Sequence, residues 1–154
     1  MRKDRQMSKY IIDDLKMGSS YTFEERITRG MVDGFAKISG DFSTLHMNNV
    51  FAKEIGFKER VVHGVWMTGL FSRLVGMHFP GENAILQSMN TMFLKPSYIG
   101  DSVMVKATVF QISEATKTIV LKGTITNIAT QEILVRSKMQ VGFTNAMKGG
   151  KVHG

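Results

Sequence analysis

Residues 64–76 read GVWMTGLFSRLVG, and this stretch decides the fold. Bulky apolar side chains recur along it, and its only polar side chains are Thr68, Ser72 and Arg73. A helix that is apolar around most of its circumference is buried on most of its faces. The stretch is shorter than the roughly 20 residues that a membrane span needs. The sequence therefore predicts one central, buried helix.

After this helix the hydrophobic pattern changes from a helical period to alternation. Apolar and polar residues alternate in four segments that begin near residues 85, 103, 119 and 135, with turns at 100–101, 113–117 and 127–131. Alternation is typical of strands with one buried face, and short turns join antiparallel neighbours. Residues 20–27 predict a further strand at the start of the chain. The order of elements predicts an α+β domain in which an antiparallel sheet wraps around the helix at 64–76.

Two shorter helices are predicted between the first strand and the central helix. Thr28 is suited to cap a helix that ends at Ser39-Gly40, and residues 47–56 predict a second helix. The loop between them carries Asp41 and His46. An imidazole exchanges protons near pH 7, and a carboxylate beside it can hold or deprotonate water. An Asp after Gly can equally be a cap, and a lone His can be structural, so spacing leaves both interpretations open.

Residues 35–46, FAKISGDFSTLH, resemble the hydratase motif of MaoC-like dehydratases and (R)-specific enoyl-CoA hydratases, which reads F-A-x-x-S-G-D-x-N-P-x-H. Ser43 and Thr44 depart from the usual Asn-Pro, and Met47-Asn48-Asn49 replaces an acidic residue common after the histidine. The resemblance extends over roughly residues 15 to 143. Further similar segments follow in the family's order: Gly56-Phe57, Val61-Val62-His63-Gly64, Leu70-Phe71-Ser72, Pro80-Gly81, Phe93-Leu94-Lys95-Pro96 and Tyr98-Ile99-Gly100-Asp101.

This resemblance implies a single hot-dog domain over residues 1–154 that pairs into a homodimer. It implies a hydro-lyase of fatty acid metabolism that hydrates trans-2-enoyl thioesters or dehydrates (3R)-hydroxyacyl thioesters. Coenzyme A or acyl carrier protein would be the handle of the substrate, with no metal and no redox cofactor. Asp41 and His46 would hold the catalytic water. The backbone N–H of Gly64 would bind the thioester oxygen, and the supporting or pocket-lining residues would be Ser72, Ser43 and His63.

Two other functions remain open at this stage. A hot-dog acyl-CoA thioesterase usually carries a carboxylate on the central helix, and residues 64–76 contain no Asp or Glu. A non-catalytic acyl-CoA-binding domain predicts broken catalytic positions, whereas Asp41 and His46 are both present.

Composition narrows the classes of protein further. The absence of cysteine excludes disulfides, thiolate metal sites and cysteine nucleophiles. The net charge is +7, but residues 1–9 contribute +3 and residues 145–154 contribute +2, and both ends are predicted to be flexible. The body shows no stripe of Lys and Arg, so nucleic acid is not an expected partner. No segment resembles a secretory signal or a membrane span, which predicts a cytoplasmic protein without a membrane partner.

Overall fold

The computed structural model describes residues 6–144. A single 3₁₀ turn (Ile12–Asp14) comes first, and the helix that ends at Arg73 continues into a wider π-helical turn (Leu74–His78). The strands and α-helices follow one another in the order β1 (Ser20–Arg26), α1 (Arg29–Ser39), α2 (Thr44–Met47), α3 (Asn49–Glu54), α4 (Gly64–Arg73), β2 (Ala84–Phe93), β3 (Ser102–Ser113), β4 (Thr118–Asn127) and β5 (Ile133–Phe143).

The five strands form one antiparallel sheet in the order β1-β3-β4-β5-β2. Alternate residues of β3 face the core, and Val103, Val105 and Ala107 are fully buried there. The intervening residues face outward, as the alternating sequence pattern predicts. The predicted antiparallel sheet around one central helix is therefore present.

The helix α4 packs on the inner face of the sheet through its buried residues Met67, Leu70 and Phe71. Gly123 of β4 lies directly beneath Phe71. A Cβ atom on Gly123 would stand 2.6 Å from Cε1 of Phe71 and 2.8 Å from Cε of Met139. A glycine inside a strand commonly marks a place of close approach, and here it lets the helix sit tightly on the sheet.

The central helix is buried or half-buried at most of its positions, as predicted, but one side of it is open. Val65 is 63% exposed, and Gly69 and Ser72 are exposed on the same side of α4. The sheet of one chain covers only one side of the helix, which leaves this second side in solvent.

The predicted helix over residues 47–56 corresponds to α3, and the predicted loop before it contains a further short helix, α2, which meets α3 at Asn48. The backbone of Asn48 is extended, and its side-chain Oδ1 accepts the N–H of Phe51 at 3.0 Å. This cap starts a new helix, because it satisfies an N–H that has no partner within the first turn. His46 consequently lies in α2 and not in a loop.

Part of the predicted flexible N-terminal end is hydrogen-bonded to the rest of the chain. The N–H of Ser8 donates to the carbonyl of Met77 at 2.9 Å, and the N–H of Glu82 donates to the carbonyl of Ser8 at 2.8 Å. Residues 1–5 and the predicted C-terminal end, 145–154, lie outside the described residues. Between residues 6 and 144, no helix has both the length and the apolar character required to cross a membrane.

Candidate active site

The carboxylate of Asp41 is held just beyond the end of α1. This helix ends at Gly40, whose φ of +77° is the left-handed conformation that favours glycine. The hydroxyl of Ser39 then accepts the N–H of Asp41 at 3.1 Å. Asp41 Oδ1 in turn accepts the N–H of Ser43 at 3.1 Å. These two local hydrogen bonds fix the direction in which the carboxylate points.

The same contacts favour the ionised form of Asp41. The backbone N–H of Ser43, followed by its side chain, lowers the pKa of Asp41 below the ordinary value of 3.8. Partial desolvation opposes this shift, and the nearby imidazoles of His46 and His63 add smaller lowering effects. Hydrogen bonds to a charged form stabilise that form, so Asp41 is a carboxylate at neutral pH.

The imidazole of His46 has a defined tautomer. Its Nδ1 lies 2.7 Å from the carbonyl oxygen of Val61. A carbonyl only accepts, so Nδ1 carries a proton, and in the neutral imidazole the lone pair is on Nε2. That Nε2 lies 3.9 Å from Asp41 Oδ2, and the side chain of His46 is only 18% exposed. A proton-accepting nitrogen and a carboxylate oxygen therefore face one another across a short gap.

His63 supports both members of this pair. Its side chain is buried, and its Nε2–H donates to the main-chain carbonyl of Asp41 at 3.0 Å. The ring lies against His46 with centroids 4.0 Å apart, and the edge of Phe35 packs 4.9 Å away. His63 thus ties the Asp41 turn to the imidazole of His46 from beneath.

A cavity of about 370 Å³ opens beside His46 and Gly64. Gly64 is the first residue of α4, so its backbone N–H has no partner inside the helix. The ring of Phe93 lies over it, only 2.9 Å from where a Cβ would stand. Lys95 and Ser97 add polar groups, and the other walls are apolar: Phe57, Val61, Val62, Val65, Met67, Phe93, Leu94, Pro96 and Val135. The cavity can accept an apolar chain that ends at His46 and Gly64.

The structure brings together most of the residues that the sequence singled out. Asp41, Ser43, His46 and His63 are in mutual contact, and Gly64 shares the cavity with His46. Ser72 stands apart. It lies on the exposed side of α4, outside the cavity lining, and its hydroxyl makes no hydrogen bond within residues 6–144. Within a single chain, Ser72 therefore does not support the site.

Asp41, His46 and His63 also offer one potential metal ligand each, with ligand atoms all within 4.8 Å of one another. Two imidazoles and a carboxylate are a ligand set that binds several divalent metals. The Nε2 of His63, however, carries the proton that it shares with the carbonyl of Asp41. This nitrogen can become a metal ligand only by giving up that hydrogen bond. The expectation that the protein uses no metal stays a prediction.

Two supporting groups of the site were not predicted from the sequence. The first is the carbonyl of Val61, which every residue type possesses and which no motif reveals. The second is Arg60, a buried residue whose Nη2 lies 2.6 Å from Oδ1 of Asp33. Its N–H also donates to Asn49 Oδ1 at 2.8 Å. Arg60 thereby joins α1 and α3 to the segment that carries Val61, and a lone arginine in a loop gave no signal of this role.

A comparison with protein families identifies the class to which this fold and site belong. The sequence model of the MaoC-like domain matches residues 14–133. The chain belongs to this family. The prediction of a MaoC-like protein with a hot-dog fold is confirmed.

Individual relatives agree with this assignment. A 3-hydroxybutyryl-CoA dehydratase of Methylorubrum extorquens is 35% identical over 100 residues, which cover 65% of this chain and 64% of that relative. An (R)-specific enoyl-CoA hydratase of Rhodospirillum rubrum is 30% identical over 117 residues, which cover 76% of this chain and 81% of the relative. The solved structure of an (R)-hydratase from Aeromonas caviae superposes with a TM-score of 0.79 at 28% identity, covering 83% of this chain and 96% of that one. By name, all three are hydratases or dehydratases.

Proposed function

We propose that this protein hydrates trans-2-enoyl thioesters to (3R)-hydroxyacyl thioesters and catalyses the reverse dehydration. The observation that carries the proposal is the gap of 3.9 Å between Nε2 of His46 and Asp41 Oδ2, beside a largely apolar cavity that His46 lines. Membership of a family with hydratase and dehydratase relatives supports the same chemistry.

The gap has the dimensions of a site for one water molecule. A water oxygen about 2.8 Å from each atom would donate one hydrogen to His46 and the other to Asp41. Both protein atoms are acceptors, because Asp41 is ionised and Nε2 of His46 bears a lone pair. With both hydrogens engaged, the lone pairs of the water oxygen point away from the pair, towards the β-carbon of a bound enoyl group.

The proton transfers follow from the two acceptors. As the water oxygen bonds to the β-carbon, one O–H bond breaks and its proton passes to Nε2 of His46. Asp41 is the weaker base, because its pKa lies below the ordinary value, and its negative charge stabilises the new imidazolium. The electrons of the C=C bond move onto the thioester oxygen as an enolate. The imidazolium then returns its proton to the α-carbon on the same face, which gives syn addition.

Gly64 supplies the group that stabilises the enolate. Its N–H begins α4, where the helix dipole favours negative charge. A donor aimed at a developing oxyanion is typically worth about 3–4 kcal/mol of barrier. The reaction is redox-neutral and its charges are met by Asp41, His46 and Gly64, so we propose that it needs no metal and no redox cofactor. Coenzyme A or acyl carrier protein would carry the acyl group.

We also propose that the working unit is a homodimer. The strand β2 is an edge strand with β5 as its one partner in the sheet, and its ten residues include no charge and no proline. Unprotected edges of this kind invite pairing with another strand. Apolar side chains near the site are also exposed in the single chain: Ile38 by 88%, Phe42 by 57% and Val65 by 63%. A second copy that covers them would also approach Ser72, on the same open side of α4.

Product analysis with crotonyl-CoA tests the proposed reaction. The expected product is 3-hydroxybutyryl-CoA of the R configuration, with the thioester intact. Release of free coenzyme A thiol would instead indicate a thioesterase, although α4 contains no Asp or Glu. Binding without turnover, also with longer acyl chains and with carrier-protein thioesters, would contradict the proposal in favour of a binding domain.

A further inference from the structure

The face of the sheet that points away from α4 carries a compact group of positive charges. Lys106, Lys122, Arg136 and Lys138 are all exposed there and come from three adjacent strands, β3, β4 and β5. The strands β2 to β5 contain no Asp or Glu at all. We call these four residues the basic patch.

Strand register places the four charges close together. Lys122 stands directly opposite Lys138, while Lys106 and Arg136 stand on either side of Thr124 in the neighbouring row. With strands about 4.8 Å apart and rows about 6.6 Å apart, the patch measures roughly 10 by 7 Å. A face of this size matches one small, multiply charged anion. A nucleic acid strand, with its regularly spaced phosphates, would extend well past it.

Repulsion within the basic patch destabilises the chain when no anion is bound. Like charges directly opposite one another in a sheet are destabilising. Within residues 6–144, none of the four side chains forms an ion pair. The ring of Phe110 offsets part of the repulsion, since Nζ of Lys122 lies 3.6 Å and Nζ of Lys138 5.8 Å from its centroid. The ring therefore holds two unpaired ammonium groups close together, where one external anion can contact both.

A depression of about 560 Å³ accompanies the charges. Lys122, Arg136 and Lys138 line it together with Asn90 and Thr124, which add uncharged hydrogen-bonding groups. The volume lies within the range of small-molecule sites. It is separate from the cavity beside His46: the pair Met92–Arg136 faces the depression, and the next pair along the strands, Phe93–Val135, lines the other cavity.

We propose that the basic patch binds a small ligand that carries two or more adjacent phosphate groups, at a site separate from the thioester cavity. The planar guanidinium of Arg136 can donate two parallel hydrogen bonds to one phosphate. The ammonium groups of Lys122 and Lys138 act as point charges for the next one. Asn90 and Thr124 complete the donor set around the anion. This inference stands on the sheet alone and does not rest on the proposed hydratase activity.

Calorimetric titration of the full chain with inorganic pyrophosphate, at low ionic strength, tests the proposal. We expect one pyrophosphate per chain, with an affinity that falls as salt is added. The double variant Lys122→Gln/Lys138→Gln should weaken binding by tenfold or more. A matched control, Lys16→Gln/Lys37→Gln, removes the same charge from two exposed lysines elsewhere and should bind as the wild type does.

Two further measurements complete the test. Titration with ADP distinguishes the source of the diphosphate. If ADP binds more tightly than pyrophosphate and this binding is lost in the same variant, the ligand is a nucleotide. If the two bind equally, the site recognises the diphosphate alone. The thermal midpoint of Lys122→Gln/Lys138→Gln should not fall, because the substitution removes a like-charge pair. The absence of pyrophosphate binding, or an equal loss in the control variant, would overturn the proposal. A raised KM for an acyl-CoA in the patch variant would contradict the separateness of the site.

Discussion

At the scale of the residue, the pKa of Asp41 is lowered chiefly by a single residue, Ser43. The Ser43 N–H is the largest cause of the lowered pKa of Asp41, and the Ser43 side chain is the second. The family's usual residue at this position is Asn, so the chain achieves the local hydrogen bonding with a hydroxyl. These hydrogen bonds extend the ionised range of the carboxylate to more acidic pH.

The variant Ser43→Ala should raise the pKa of Asp41 towards the ordinary 3.8, but not all the way, because the backbone N–H remains. A lowered pKa in the folded state contributes stability that is present above the unfolded pKa and lost as pH falls through the folded pKa. In the variant this contribution should therefore be smaller, and its loss should be complete at a higher pH. An NMR titration of the Asp41 carboxyl carbon measures the shift, with Ser19→Ala as a distant control. An unchanged Asp41 titration would contradict the role given to the hydroxyl.

His63 acts on the reaction through Asp41 and His46. The variant His63→Phe keeps a ring against His46 but removes the Nε2–H that holds the carbonyl of Asp41. Small displacements of catalytic groups lower rates substantially, so kcat should fall by about 10- to 100-fold with KM little changed. His63→Gln, which retains an N–H donor, should recover part of the rate. A KM effect alone, or no recovery in His63→Gln, would argue for a purely structural histidine.

The sequence could predict those site residues whose function depends on the side chain. The motif around Asp41 and His46 pointed to both members of the pair, and the structure places them 3.9 Å apart. The acceptor that fixes the tautomer of His46 is a main-chain carbonyl, which sequence does not distinguish from any other. The position of the Val61 carbonyl beside His46 is therefore visible only in the folded structure.

At the scale of the element, α4 and β4 pack closely because Gly123 has no side chain. Gly123→Ala would place a methyl group 2.6 Å from Phe71 and should cost about 1–3 kcal/mol of unfolding free energy, as overpacked cores do. Chemical denaturation measures the change. The control Gly34→Ala puts the same methyl in α1, where nothing lies within 4 Å, and should stabilise by up to about 1 kcal/mol. Equal effects at both glycines would contradict the close packing.

The elements were predicted well where the apolar period is regular and less well where a cap intervenes. The strands and α1 follow the sequence pattern closely. Asn48 ends α2 and caps α3, so a short helix forms in the stretch that was predicted to be a loop. The open side of α4 was also not predicted. An apolar sequence indicates that a helix face will be buried, but it does not show whether the same chain or a second chain buries it.

At the scale of the whole molecule, the homodimer has a direct test. Light scattering after size exclusion should give twice the chain mass of 17.2 kDa. The variant Ser88→Lys/Asn90→Lys places charges along β2, where antiparallel pairing of two copies would bring like charges together. It should shift the protein to the monomer and lower its activity. The same change on the other edge strand, Ser20→Lys/Thr22→Lys, should leave the dimer intact, and a wild-type monomer would contradict the proposal.

The basic patch could not be predicted from the order of residues along the chain. The sequence analysis found no stripe of Lys and Arg in the body of the chain. Lys106, Lys122 and Lys138 are sixteen residues apart in each case and become neighbours only through strand register. A search along the chain therefore misses a cluster that three strands assemble, while the expectation of no nucleic acid partner stays a prediction.

The central claim is that Asp41 and His46 together activate water. The most direct measurement is the rate of crotonyl-CoA hydration by wild type, Asp41→Asn and His46→Gln, with Asp13→Asn as a control on a distant exposed carboxylate. Removing a general acid–base group typically costs 10²- to 10⁴-fold, so both site variants should lose about 100-fold or more of kcat while remaining folded. The control should retain the wild-type rate. Rapid hydration by a folded Asp41→Asn or His46→Gln variant would contradict the claim.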